Sequence, residues 1–282
     1  MEVVVTGAGG LLGWWVAREL AERGYRVYGV YRERGGGLEG VEWVRADLEA
    51  GVPEVVRQAD VVVHAAAYTD VDGCEVDRAR AYRANFLATL AVARAARRVV
   101  YISTDYVFDG ERGMYREGDV PNPVNYYGLS KLLGEGPVLA RGGVVVRVSG
   151  LFGVSPHGKR NFGVEALLRL RRGEEVRAFV DQRLSPTYVP FLAERLADLL
   201  ERDVEGVLHI AGEPATRFEF AVALAEALGV DRGLVKPARL SEARLAARRP
   251  RDSSLDTSRA ASMGLSLPPL REALRHFVKY AV

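Results

Sequence analysis

The sequence predicts an α/β fold, a doubly wound parallel sheet with a small mixed lobe towards its C-terminal end. Three observations predict it. The β-branched run Glu2–Thr6 ends in a glycine turn and passes into residues 11–23, whose apolar side chains recur at helical spacing up to Gly24. The same alternation repeats, with Val-rich runs at Arg26–Tyr31, Val41–Arg45, 60–65, 98–103 and 143–149 and helical stretches between most of them. These runs are continuously apolar, as strands buried on both faces of a parallel sheet are.

After Ser149 the rhythm loosens. Helical patterns cover 161–172, 190–202, Arg217–Leu228 and 269–280, with short strand-like runs at 176–180 and 206–211. Residues 1–150 are therefore expected to form a Rossmann domain that binds NAD(P), and 151–282 mainly a substrate-binding lobe whose chain returns to the main sheet near 206–211. In such a sheet the ligands lie outside the carboxyl ends of the strands, so the residues at those ends carry the functional reading.

Composition excludes several classes. The chain has 282 residues, 48% hydrophobic and 27% charged, which is globular composition, long enough for a real core without staples. Its 39 Lys and Arg, four of them Lys and 35 Arg, face 37 Asp and Glu; a net charge of +2 argues against nucleic acid as a partner. The Arg excess, with two Gln and four Asn, fits a GC-rich or heat-adapted source. One cysteine, Cys74, precludes an intrachain disulfide, and the four histidines lack metal-ligand spacing, so no metal site is expected. No apolar run is long enough for a membrane span and no signal-peptide layout is visible, so a cytoplasmic protein without membrane partners is expected.

Gly7, Gly10 and Gly13 form a GxxGxxG pattern where the first strand becomes a helix. The pattern alone is weak, but that placement lets the backbone, with Leu11 and Leu12, approach a pyrophosphate at the helix N-terminus. The residues after the second strand discriminate the cofactor. Arg32 and Arg34 favour the 2′-phosphate of NADPH, while Glu33 between them leaves NADH open. Asp47 and Leu48, after the third strand, are placed to meet adenine, and Ala65, Ala66 and Ala67, after the fourth, are small enough for close approach.

Tyr127 and Lys131 stand four apart, on one helix face. A phenol with a pKa near 10 holds its proton too tightly for good acid–base work at neutral pH, and a nearby ammonium is expected to lower it. Thr104 closes the fifth strand, placed to hydrogen-bond the same carbonyl oxygen as Tyr127. The three groups fit hydride transfer, with Tyr127 protonating the nascent alkoxide.

Thr6–Trp14, Ala65–Asp72, Ile102–Gly110, Tyr127–Glu135, Asp181-Gln182, Pro186-Thr187, Arg249-Pro250 and Ser254-Leu255-Asp256 together resemble the extended short-chain dehydrogenase/reductase family, and within it the dTDP-4-dehydrorhamnose reductases, nearly end to end. The resemblance implies NADPH-dependent reduction of a nucleotide-linked 4-keto-6-deoxysugar to dTDP-L-rhamnose. It implies Thr104, Tyr127 and Lys131 as the catalytic set, with Thr104 and Asp105 touching the sugar and Lys131 holding the nicotinamide ribose. A homodimer is compatible with it.

One position departs. Where that family usually carries Trp against the sugar ring, this chain has Gly150, which widens the substrate pocket or leaves its lining to another residue. The related dehydratases carry Thr-Asp-Glu after the fifth strand, and Tyr106 in place of that Glu argues against dehydration. Two other readings stay open: a non-catalytic NADP-binding regulatory subunit, since the β subunit of methionine adenosyltransferase resembles the same family, and a reductase or epimerase of another nucleotide sugar.

Overall fold

A computed structural model describes residues 1–158 and 160–280. The chain builds β1 (Glu2–Thr6), α1 (Leu11–Glu22), β2 (Arg26–Tyr31), β3 (Val41–Arg45), α2 (Glu54–Gln58), β4 (Val61–His64), α3 (Val71–Val76), α4 (Arg78–Ala81), α5 (Ala88–Ala95), β5 (Val99–Thr104), α6 (Tyr126–Leu139) and β6 (Val144–Val148). It continues through β7 (Leu151–Phe152), α7 (Phe162–Arg171), β8 (Val176–Phe179), β9 (Arg183–Leu184), β10 (Thr187–Tyr188), α8 (Val189–Leu200), β11 (Gly206–His209), β12 (Ala215–Thr216), α9 (Arg217–Leu228), β13 (Val235–Ala238), α10 (Ser258–Ser262) and α11 (Leu270–Tyr280).

Seven strands form one parallel sheet in the order β11-β6-β5-β4-β1-β2-β3. Its strands explain the unbroken Val runs: Val3 and Val5 of β1 pack into the layer with α1 and α8, while Val4 packs into the opposite layer with Val92 and Ala93 of α5. The order reverses at β1, which lies between β2 and β4, and the crevice opens at the carboxyl ends of these strands.

At four places the structure departs from the sequence reading or adds to it. β3 is an edge strand that is only half-buried on either face, with Glu42 and Arg45 exposed. α8 packs against α1 and shares its core, as do Ala260 and Leu265, so more of the chain beyond residue 150 than the single returning strand joins the first layer. Strand β13 went unread because Pro237 interrupts it; the strand survives as half of a two-stranded pair with β8, where a proline is tolerated. Between α4 and α5 the helix widens into a π turn at Tyr82–Leu87, which turns the buried Asn85 side chain towards the Tyr68 backbone and Ser130.

A second hydrophobic core lies between α7, α9 and α11, where Phe152, Phe220, Phe277 and Tyr188 pack edge to face. The segment after β13 runs back to the first layer. Arg249 makes a two-pronged ion pair with Asp72 of α3 (Nη1–Oδ1 3.1 Å, Nη2–Oδ2 2.8 Å), and Asp252 N–H donates to the Gly110 carbonyl.

Helix α6 is locked onto the sheet by a buried ion pair. Arg147 of β6 donates to both oxygens of Glu135 (Nε–Oε1 3.0 Å, Nη2–Oε2 2.7 Å), and Ser103 of β5 donates to Oε1 at 2.6 Å. Both ions are 3% exposed, so neither finds compensation from water. Leaving one buried partner alone costs about 3–5 kcal/mol, whereas replacing both by apolar residues costs far less. Glu135→Leu is therefore expected to lower unfolding free energy by about 3–5 kcal/mol in urea titration, and Glu135→Leu with Arg147→Met to recover most of it.

Candidate active site

The glycine turn is built by close approach. Gly7 adopts φ +68°, and a Cβ there would lie 2.8 Å from the Ala66 Cα at the end of β4. A Cβ on Gly13 would meet the Gly7 carbonyl oxygen at 2.3 Å, so α1 can start this near β1 only with glycine at that position. Gly10 caps α1 without a side-chain bond, so no side chain satisfies the first-turn N–H groups, which suit an anion.

From this turn a cleft of about 700 Å³ runs along the strand ends to the second core. Every residue proposed from the sequence lines it: Gly7, Gly10, Leu11, Leu12, Gly13, Arg32, Arg34, Asp47, Leu48, Ala65, Ala66, Ala67, Thr104, Asp105, Tyr127, Lys131 and Gly150. Arg32 is ion-paired with Glu33 at 3.0 Å, and Asp47 Oδ1 accepts from the Glu49 N–H at 3.0 Å within its own turn.

At the centre of the cleft α6 crosses the end of β5. Asn125 caps the helix by accepting from the Gly128 N–H at 2.9 Å. A Cβ on Gly128 would lie 2.0 Å from the Tyr106 carbonyl, so glycine lets the helix settle onto the 3₁₀ turn Asp105–Val107. Tyr127 and Thr104 both line the cleft here, and Tyr106 packs edge-on to the Tyr127 ring at 5.9 Å.

The electrostatics differ from expectation. Lys131 Nζ donates to the Ile102 carbonyl at 2.7 Å and lies 4.1 Å from the centre of the Tyr101 ring. Burial brings its pKa down to about 7, against an opposing pull from Glu135. Tyr127 is not lowered by the ammonium: desolvation pushes its phenol well up, with only the Thr104 hydrogen bond opposing. Asp105 is 2% exposed and its pKa is raised to about 6 by burial. His64, between Thr6 (2.6 Å) and Thr89 (3.0 Å), is fully buried, and desolvation lowers it to about 3.

The lobe supplies lining residues that sequence reasoning missed: Ser155, His157, Arg160, Asn161, Leu184 and Arg217. Asn161 could have been found as the N-cap of α7, where it accepts from the Val164 N–H at 3.2 Å. Nothing singles out Arg217 among 35 arginines; only folding sets its guanidinium 2.7 Å from Gln182 and over the Phe162 ring. Among the described residues the buried His157 Nε2 has no hydrogen-bond partner. Beside Gly150 a smaller cavity of about 190 Å³, walled by Phe152, Phe162, Phe220 and Pro186, adjoins the cleft. Among the described residues no group of three or more His, Cys, Asp or Glu side chains is placed to hold a metal, and no helix is long and apolar enough to cross a membrane.

The family described as RmlD substrate binding domain matches residues 1–282. The chain belongs to that family. Its RmlD-type relatives include a dTDP-4-dehydrorhamnose reductase of Mycobacterium tuberculosis, 37% identical over 95% of this chain and 88% of the other. A probable low-salt glycan biosynthesis reductase, Agl14, of Haloferax volcanii is 35% identical over 97% and 96%. The methionine adenosyltransferase 2 subunit beta of Danio rerio is 33% identical over 97% and 88%. In structure, the Bacillus anthracis dTDP-4-dehydrorhamnose reductase in complex with NADP superposes with a TM-score of 0.83 at 32% identity, covering 98% of each chain.

Burying a lysine ammonium has a cost that pH reveals. With the folded pKa near 7 and the unfolded value near 10.5, the folded state binds fewer protons between those limits, so stability rises with pH across that window. Lys131→Met is expected to be more stable than the parent at pH 6, by about 2 kcal/mol or more, with the difference shrinking as pH climbs from 7 towards 10.5 in urea titrations.

Proposed function

We propose that the protein is an NADPH-dependent reductase of a nucleotide-linked 4-keto-6-deoxysugar, converting dTDP-4-dehydro-6-deoxy-L-mannose to dTDP-L-rhamnose. The observation that carries this reading is the convergence of Thr104, Tyr127 and Lys131 on one floor of the cleft that begins at the Gly7–Gly13 turn. The glycine turn would receive the pyrophosphate, and Arg32 and Arg34 the 2′-phosphate, Arg32 exchanging Glu33 for it. Asp47, Leu48 and Ala65–Ala67 would border the adenosine half, and the residues beyond 150, Asn161 and Arg217 among them, the sugar nucleotide. Bound there, the reduced nicotinamide supplies the hydride.

Tyr127 then supplies the proton. A phenol raised by burial is still a far stronger acid than the secondary alcohol being formed, so donation from Tyr127 Oη to the alkoxide runs downhill. Lys131, held on the Ile102 carbonyl, has spare donors for a ribose hydroxyl and adds positive charge beside the phenolate left behind.

A second reading, an NADP-binding subunit without turnover, is favoured by the Danio rerio relative. A third, another sugar, is favoured by Gly150 and the cavity it leaves open. One assay separates the three: NADPH oxidation with dTDP-4-keto-L-rhamnose beside UDP and GDP analogues. Turnover of the dTDP sugar is expected; NADPH binding with no turnover of any of them favours the subunit.

Tyr127→Phe is expected to lower kcat by at least about 10²-fold while the NADPH Kd stays within about twofold, because the ring survives and only the proton donor is lost. A variant keeping more than about a tenth of kcat, with chemistry rate-limiting, would remove Tyr127 from the mechanism. For the cofactor, Kd by fluorescence titration is expected to favour NADPH over NADH in the parent, and Arg32→Ala with Arg34→Ala to erase the preference by about tenfold or more.

A further inference from the structure

The segment that follows β2 carries both arginines assigned to the 2′-phosphate, and its backbone has few bonds to hold it. Among the described residues, 33–37 make no backbone–backbone hydrogen bond, and Gly36 and Gly37 take positive φ in open space. Arg32 is engaged by Glu33, and Arg45 Nε donates to its carbonyl at 3.3 Å. Arg34 lines the cleft, yet among the described residues its guanidinium makes no ion pair or hydrogen bond. A phosphate-binding side chain on such a segment stays dispersed unless something fixes the backbone beneath it.

Two close contacts fix it. The Arg34 carbonyl rests on Gly9 of the glycine turn, where a Cβ would lie 1.9 Å from that oxygen. One residue on, Gly35 lies against the Tyr31 ring, and a Cβ there would lie 2.4 Å from Cδ1 and 2.5 Å from Cγ. The ring has little room to move aside. It packs edge-on to Trp43 of β3 at 6.0 Å, and Trp43 in turn covers Gly29 of β2, where a Cβ would lie 3.1 Å from the indole. The glycine turn is equally held, with the Ala8 N–H donating to the Val30 carbonyl at 3.0 Å and the Gly10 N–H to the Gly7 carbonyl at 2.8 Å.

We propose that Gly9 and Gly35 are positioning residues for cofactor choice: they seat the backbone of Arg34 on the glycine turn and the Tyr31 ring, which holds the unpaired Arg34 guanidinium ready for the 2′-phosphate of NADPH. This rests on the NADPH reading above. It assigns part of the selectivity to two glycines outside the Gly7, Gly10 and Gly13 pattern, and to the stack of Tyr31 on Trp43, as well as to the arginines.

A methyl group at either glycine keeps both arginines but displaces the backbone that carries them. At Gly9 the exposed segment yields rather than the turn, because the turn is held by hydrogen bonds and the segment is not. Gly35, unlike Gly9 and Tyr31, does not line the cleft, so Gly35→Ala leaves the surface that meets the rest of the cofactor unaltered.

The test is the Kd of NADPH and of NADH, by fluorescence titration, in the parent, Gly35→Ala and Gly9→Ala, with each glycine variant also made in the Arg32→Ala, Arg34→Ala background. Thermal melts establish that each protein is folded. Each glycine variant is expected to weaken NADPH about tenfold while NADH stays within about twofold. In the background without the arginines it is expected to cost NADPH nothing further, because the seat acts only through them. A loss shared equally by the two cofactors, a preference left intact, or the same NADPH loss without the arginines overturns the proposal. Should one glycine variant fail to fold, the other decides. A parent that binds NADPH no better than NADH removes the cofactor reading itself, whereas a parental preference that both glycine variants keep removes only this inference.

Discussion

The site depends on the ion pair between Glu135 and Arg147, because it fixes where α6 lies on the sheet. Two charges that are 3% exposed can be tolerated only in a geometry that satisfies both, and the paired N–O contacts with the added Ser103 hydroxyl leave α6 little freedom to slide or roll. Tyr127 and Lys131 lie upstream on the same helix, so a clamp at residue 135 sets their height above Thr104. Gly128 and the Asn125 cap complete the placement at the other end of the helix.

Desolvation governs the chemistry of the groups that α6 brings to the cleft. The burial that makes the clamp rigid also takes Lys131 down to about 7 and Asp105 up to about 6, and it raises Tyr127. Each shift opposes the charged form of its group, so the cleft stores unfavourable electrostatics that a polar or charged ligand can relieve. Lys131 on the Ile102 carbonyl is a case: its remaining donors are unspent, and a ligand hydroxyl would restore some of the lost solvation. Asp105 is the opposite case, compensated internally by three hydroxyls drawn from three parts of the chain.

Much of the sheet was legible because strands buried on both faces of a parallel sheet read as continuous apolar runs: the Val runs of β1, β2, β4, β5 and β6 read directly, and the edge strand β3 misled only about its burial. The short strands β7, β9, β10 and β12 were not legible. Two residues carry no periodicity, and these pairs exist because tertiary packing brings their backbones together.

The sequence by itself determined the glycine turn, the succession of the principal strands along the chain and the Tyr127–Lys131 spacing, since these are set locally: Gly13 by the approach of the Gly7 carbonyl, the four-residue spacing by the helix pitch. Only the tertiary structure decided the direction of the pKa shifts, the partners of Asp105, and the parts taken by Asn161, Arg217 and Ser253 in the walls of the cleft and the network beneath it. Those depend on which distant groups share a desolvated space. Burial and long-range hydrogen bonding are properties of the packed chain, and a residue such as Ser253 looks like any other serine until the segment carrying it folds back over β5 and meets a carboxylate there.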